Sequence, residues 1–182
     1  MNALLTETLD EKGTLFSCQP TDDNPAMIFY RPHETWTARA DWRTELPKGE
    51  SITGTDSKSW LDMFNQYILT SLIAISLSDS YITVSTSTDY VRIYTLFGTP
   101  FRVYRQKSQA VTCASWRDYV LTIGNGPVGS DGTTKLTYTV ENVRRDEVYQ
   151  NEDTVALTAD SELQSVFFSD NGVCDANWPQ SS

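Results

Sequence analysis

The side chains that could do covalent or acid–base chemistry are few, and their spacing works against most of that chemistry. His33 is the single histidine, so zinc sites and nucleophile dyads that need an imidazole lose their support, and a surface or capping role is expected. Cys113 stands beside Ala114 in an alternating stretch, where a small thiol packs well; a reactive thiolate needs partial exposure and positive neighbours. Acid pairs occur at Asp22-Asp23, Asp146-Glu147 and Glu152-Asp153. Two carboxylates facing one another can cleave a glycosidic bond, but neighbours on a strand point to opposite faces. A solvated rim is therefore expected, with Arg144-Arg145 neutralising Asp146-Glu147 locally. The glycine-rich run 124–132 could cradle an anion, yet it lacks the Gly-Lys-Ser/Thr ending and no helical pattern follows it. It reads as a hairpin connection with an Asp131-Gly132 turn. Its nine residues (132 − 124 + 1) exceed what a hairpin needs, which makes Asn125, Gly126, Pro127, Val128 and Asp131 the candidate protein-contact residues. No catalytic, cofactor-binding or metal-ligating residue is nominated.

The chain has 182 residues, with 14 basic and 24 acidic side chains and a net charge of -10. That length suffices for one ordinary domain. The acidic balance repels phosphate backbones over most of the surface, so direct DNA binding is not expected; Arg102, Arg105 and Lys107, the densest basic cluster, are too few to reverse it. Three widely spaced cysteines and no Asn-x-Ser/Thr sequon predict a reducing, intracellular compartment. The most apolar run, 67–77, is too short for a membrane span, and the first fifteen residues carry acids where a signal peptide needs a basic start.

The elements that must position these residues are short strands. Period-two alternation recurs from Ile75, bounded by turn chemistry, over 75–78, 81–86, 90–96 and 101–105. A second group of four follows over 111–116, 119–123, 135–142 and about 148–157. Its first strand begins 36 residues after that of the first group (111 − 75), near the ~40–45 residues of a propeller blade. A third group opens at 163–169 and stops soon after. Upstream, 27–31 and 35–42 read as strands that could close a ring, and 1–24 reads as a loosely ordered leading segment. Tyr90, Tyr94, Phe101, Tyr104, Trp116 and Tyr119 lie on or beside strands, where packing between blades is their ordinary use.

The wording of several strands goes further than their pattern. Trp36-Thr37-Ala38-Arg39, Glu50-Ser51-Ile52-Thr53, Tyr90-Val91-Arg92-Ile93-Tyr94, Leu96-Phe97-Gly98-Thr99-Pro100, the run 114–129 and Phe167-Phe168-Ser169-Asp170 resemble the fungal chromosome-transmission-fidelity and minichromosome-loss family. Animal relatives of that family are described as WD-repeat and HMG-box DNA-binding proteins. The resemblance covers most of 27–171 and implies the first part of the family's second propeller. It implies a nuclear, non-catalytic replisome scaffold that ties the replicative helicase to DNA polymerase alpha and supports sister-chromatid cohesion, DNA repair and chromatin maintenance. The family assembles as a homotrimer and carries its peptide-binding groove on a helical domain after the propeller, which this sequence does not display.

Two stretches depart from the family wording, 54–74 and 172–182. Both can be encoded around splice-site-like codons, so retained introns are one reading; for 59–74 an amphipathic helix, with Trp60, Leu61, Phe64 and Ile68 on one face, is the other. The expected protein is thus all-β, a partial, truncated β-propeller of four-stranded antiparallel blades, with a possible short helix at 59–74. Its parts are a leading segment 1–24, the partial propeller 25–171 with an insertion at 54–74, and a non-family tail from 172. No cofactor is expected. Two other classes compete: a generic propeller interaction module of another intracellular complex, and a propeller-type glycosidase.

Overall fold

The protein is described by a computed structural model covering residues 4–10, 12–21, 23–33, 41–47, 72–130, 134–155, 163, 165–168 and 174–177. Every regular element among them is a strand, and the strands pair with their sequence neighbours. The first sheet joins β1 (Leu4–Asp10), β2 (Gly13–Cys18), β3 (Met27–Pro32) and β4 (Trp42–Glu45) in that order. The second joins β5 (Leu72–Leu77), β6 (Tyr81–Thr86), β7 (Tyr90–Thr95) and β8 (Pro100–Arg105). The third joins β9 (Ala110–Trp116), β10 (Tyr119–Val128), β11 (Thr134–Asn142) and β12 (Glu147–Thr154), and the fourth pairs β13 (Ser165–Phe168) with β14 (Cys174–Asn177). All pairings are antiparallel.

These sheets are blades A to D of a β-propeller. Their first strands lie side by side in chain order, β1 against β5, β5 against β9 and β9 against β13. A blade in such a row is covered on both faces, and the sequence of β6 shows what that demands. All six of its residues are buried, so it mixes Tyr81, Ile82 and Val84 with hydroxyl residues, and the polar heads of Thr83 and Thr86 find partners inside. Thr83 Oγ1 accepts from Ser115 Oγ of blade C at 2.8 Å, and Thr86 Oγ1 donates to Tyr90 O at 3.1 Å. Between A and B the filling is apolar: Leu15, Ile28 and Tyr30 meet Ile82, Val84, Tyr94 and Leu96. Trp42 locks that seam, donating from Nε1 to Leu96 O at 2.9 Å. Its ring lies under the turn at Gly98, where φ is +82° and an added Cβ would stand 2.8 Å from Trp42 Cδ2, so only glycine fits.

Several expectations need correction. The described part of 1–24 is not a loose leading segment: β1 and β2 lie there, and β2 pairs with β3 along its whole length. The pair upstream of blade B is therefore the outer half of a four-stranded blade A, not a closing strand, and its last strand is Trp42–Glu45 rather than 35–42, of which 35–40 lie outside the described residues. The helix expected at 59–74 does not reach its end, because 72–74 begin β5, with Leu72 opposite Thr86 and Ala74 opposite Ser85. The remainder of the 54–74 insertion lies outside the described residues. Blade D continues past 171, since Cys174–Asn177 pairs with Ser165–Phe168 in register.

Candidate interaction surface

The hairpin between β10 and β11 holds most of the nominated contact residues, but it is more ordered than a loop. β10 runs on to Val128, and Asn125 and Val128 pair with Leu136 and Thr134 across a bulge. Asn125 is anchored on the linker between blades B and C: its backbone N donates to Gln109 O at 2.8 Å and its Nδ2 to Gln109 Oε1 at 3.2 Å. Gly126 packs so close to β11 that an added Cβ would stand 2.7 Å from Lys135 O. Pro127 is exposed and Val128 is 68% exposed, so these two present the apolar tip. Asp131 lies outside the described residues.

Further exposed apolar side chains sit on the outermost strands, Phe101 and Val103 on β8 and Val148 and Tyr149 on β12, with Phe97 in the β7–β8 turn. Among the described residues, exposed apolar side chains thus gather on the outermost strands and at the hairpin tip. Phe101 still rests on Tyr81 with ring centroids 5.0 Å apart, and Tyr149 on Tyr119 at 5.5 Å.

The charged groups are used differently from what adjacency in sequence suggests. Asp146 is in the left-handed region (φ 59°) at the end of a turn whose Asn142 Oδ1 accepts from Arg145 N at 2.9 Å. That turn sends Asp146 to Arg102 of blade B, which also bonds the buried Glu141 at 3.2 Å, while Arg144 faces Asp118 at 3.9 Å. Local neutralisation of Asp146-Glu147 by Arg144-Arg145 is thus replaced by an interblade ion pair. The basic cluster is spent likewise, with Arg105 on Asp89 at 3.7 Å. Glu147 accepts from the Tyr149 hydroxyl at 3.1 Å. Burial, and after it the Glu141 carboxylate, push the Tyr104 phenol far above its ordinary value, so it stays neutral.

His33 is exposed and its Nε2 lies 2.7 Å from Thr14 Oγ1, the capping position expected of it. Cys113 is buried in the B–C seam, its Sγ 4.0 Å from Thr83 O, and burial pushes its pKa up to about 12, the opposite of a reactive thiolate. Among the described residues no group of three or more His, Cys, Asp or Glu is placed to hold a metal, and no helix is long and apolar enough to cross a membrane.

Comparison with known proteins agrees with this architecture. The fold is similar to the crystal structure of HIRA(644-1017), with a TM-score of 0.61 over 97% of this chain and 46% of that one at 11% identity, a likeness of fold alone. In sequence the chain is 36% identical over 165 residues to Minichromosome loss protein 1 of Schizosaccharomyces pombe (strain 972), covering 90% of this chain and 18% of that protein's length. The family model described as "Minichromosome loss protein, Mcl1, middle region" matches residues 4–176, from β1 into β14. The family match therefore runs five residues into the stretch 172–182 read as a non-family tail, and the chain belongs to the Mcl1 middle-region family.

Proposed function

We propose that this chain is a non-catalytic scaffold of the replication machinery, working in the nucleus and linking the replicative helicase to DNA polymerase alpha. The observation that carries the reading is the match to the Mcl1 middle region across all four blades. Support comes also from the rim, where Phe97, Phe101, Val103, Val128, Val148 and Tyr149 are exposed on a framework held by interblade packing. Aromatic and aliphatic side chains on rigid strands are the usual currency of protein recognition. The β10–β11 tip, Asn125 to Val128, is one such contact. In this reading the blades supply the platform and the trimer contacts, the helical domain implied by the family resemblance supplies the peptide groove, and roles in cohesion, repair and chromatin follow from the partners held. Direct DNA binding is weak, because Arg102 and Arg105 are already ion-paired in a chain of net charge -10.

Affinity purification of the tagged protein from cells in S phase tests this. Subunits of the replicative helicase and of DNA polymerase alpha should be enriched over an untagged control. A different stable set of partners would instead place the chain in another complex as a generic propeller module. The glycosidase reading is not favoured, since Asp146 is taken up by Arg102 and Glu147 by Tyr149.

A further inference from the structure

The outer half of the seam between blades B and C encloses a cavity of ≈ 200 Å³. Tyr104 of β8 and Gln106 of the following linker form one side, and Thr122, Glu141 and Val148 of blade C the other. One water needs only roughly 10–15 Å³ of such space, so this is not a single-water hole. Three buried atoms at the cavity residues have no hydrogen-bond partner among the described residues: Tyr104 Oη, Gln106 Oε1 and Glu141 Oε1. Glu141 is 6% exposed; Arg102 engages its second oxygen, and the Tyr104 phenol faces the same carboxylate. A buried carboxylate oxygen without a donor carries its full desolvation cost, so the site is incomplete as it stands.

The missing group must donate to Gln106 Oε1, because an amide oxygen only accepts, and it can donate also to Glu141 and to the neutral phenol, whose own proton is directed at the carboxylate. It is best cationic. Arg102 divides its charge between Glu141 and Asp146, and the chain as a whole carries -10, which draws basic partners. Two cations, Arg105 and Lys107, also line the mouth; Arg105 faces Asp89, and Lys107 makes contacts of its own within the chain. We propose that this cavity receives one lysine or arginine side chain of a partner protein, its head donating to Glu141 Oε1, Gln106 Oε1 and Tyr104 Oη. This rests on the scaffold reading above and names the partner's chemistry at one point of it.

NMR titration of the whole chain with N-acetyl-lysine and N-acetyl-arginine methylamides, alongside their neutral norleucine and citrulline counterparts, tests it and separates the two cations. Saturable amide shifts at Gln106, Thr122 and Glu141 are expected with a cationic probe, at least tenfold weaker with its neutral counterpart. Glu141→Gln should weaken binding at least tenfold. Because that change also touches the Arg102 pair, Tyr104→Phe is the second variant: it removes only the hydroxyl and should weaken binding several-fold with Tm preserved. Equal shifts from charged and neutral probes, no saturation, or undiminished binding by Tyr104→Phe would overturn the inference. Replication partners retained by a folded Glu141→Gln protein would sink the cavity's role while leaving the scaffold reading intact. Failure of the wild-type protein to enrich those partners would sink the scaffold reading, whatever the probe titration gives.

Discussion

The two seams that flank blade B are built on different chemistry. Toward blade A, Leu15, Ile28, Tyr30, Ile82 and Val84 are at most 0% exposed and Tyr94 and Leu96 5% and 6%, closed by the Trp42 bond to Leu96 O. Toward blade C, an apolar cluster is present too, with Val91, Ile93, Val120 and Val143. That seam is threaded, however, by hydroxyl bonds such as Ser115 N to Ser76 Oγ at 2.8 Å. The outer half gives way to the Arg102–Glu141 pair and the cavity. Apolar contact holds two blades together without regard to direction, whereas polar pairs fix their register and leave unmet valences that something else must fill. One seam is an apolar fastening and the other a polar one that borders a cavity.

If that contrast is right, the largest loss of stability comes from the A–B seam. Ile82 is fully buried in the apolar cluster of this seam, so Ile82→Ala should cost about 2–5 kcal/mol by urea denaturation, through lost transfer energy and the cavity left behind. A cost below ~1 kcal/mol would mean that the seam collapses freely and is not the main fastening.

The B–C seam should be broken at smaller cost and, unlike the first, repaired by making it resemble the other. Arg102→Met leaves Glu141 buried without its cation. With the Arg102 side chain 24% exposed and Glu141 8%, solvent screens part of the loss, and about 1–3 kcal/mol is expected. Adding Glu141→Leu removes the stranded carboxylate and should restore most of it, since a partly buried ion pair contributes little beyond what apolar side chains of similar size provide. A double variant no more stable than Arg102→Met would show that Arg102 acts through Asp146 instead.

How much of this could be read from the sequence follows the same division. Blades B and C were legible because turn chemistry, Ser-Asp-Ser at 78–80, Ser-Thr-Asp at 87–89 and Gly98-Thr99-Pro100, brackets each strand. Blade A's inner strands were missed for a physical reason. β2 buries Thr14 and Ser17 along with Leu15, and a strand covered on both faces has no clean apolar–polar alternation to detect. The cavity was invisible because its parts come from two blades: Arg102 and Glu141 are 39 residues apart, and local spacing carries no signal over that separation. The nearest clue was the basic cluster containing Arg102, which in sequence is only a group of cations too few to reverse the acidic field, and which the fold sets against Glu141 and Asp146. The β10–β11 hairpin was legible as a hairpin but not in its extent, because the bulge after Asn125 lets pairing continue to Val128, into the run read as its connection.

The smallest effect is expected at Cys113, where the two seams can be compared through a single atom. Its thiol is buried on the inner part of the B–C seam, and desolvation pushes its pKa from an ordinary 9.0 up to about 12. A raised folded pKa stabilises the protonated form; its contribution is whole below pH 9.0 and is lost as pH rises toward about 12. At neutral pH the protein should therefore gain or lose nothing through this group, and stability should fall only in strong alkali. Thiol labelling at pH 8 gives the sharper reading. Cys18, half-buried on the edge of β2, should react first, while Cys113 should react only at the rate at which the blades part. If opening of the B–C seam alone exposes it, Arg102→Met should speed labelling of Cys113 by about the factor by which it destabilises the protein, and Ile82→Ala should do so only to the extent that global unfolding is the route. Equal acceleration by both variants per unit of lost stability would mean that the blades unfold together; acceleration by Arg102→Met alone would mean that the B–C seam opens by itself, as a seam that admits a partner's side chain should.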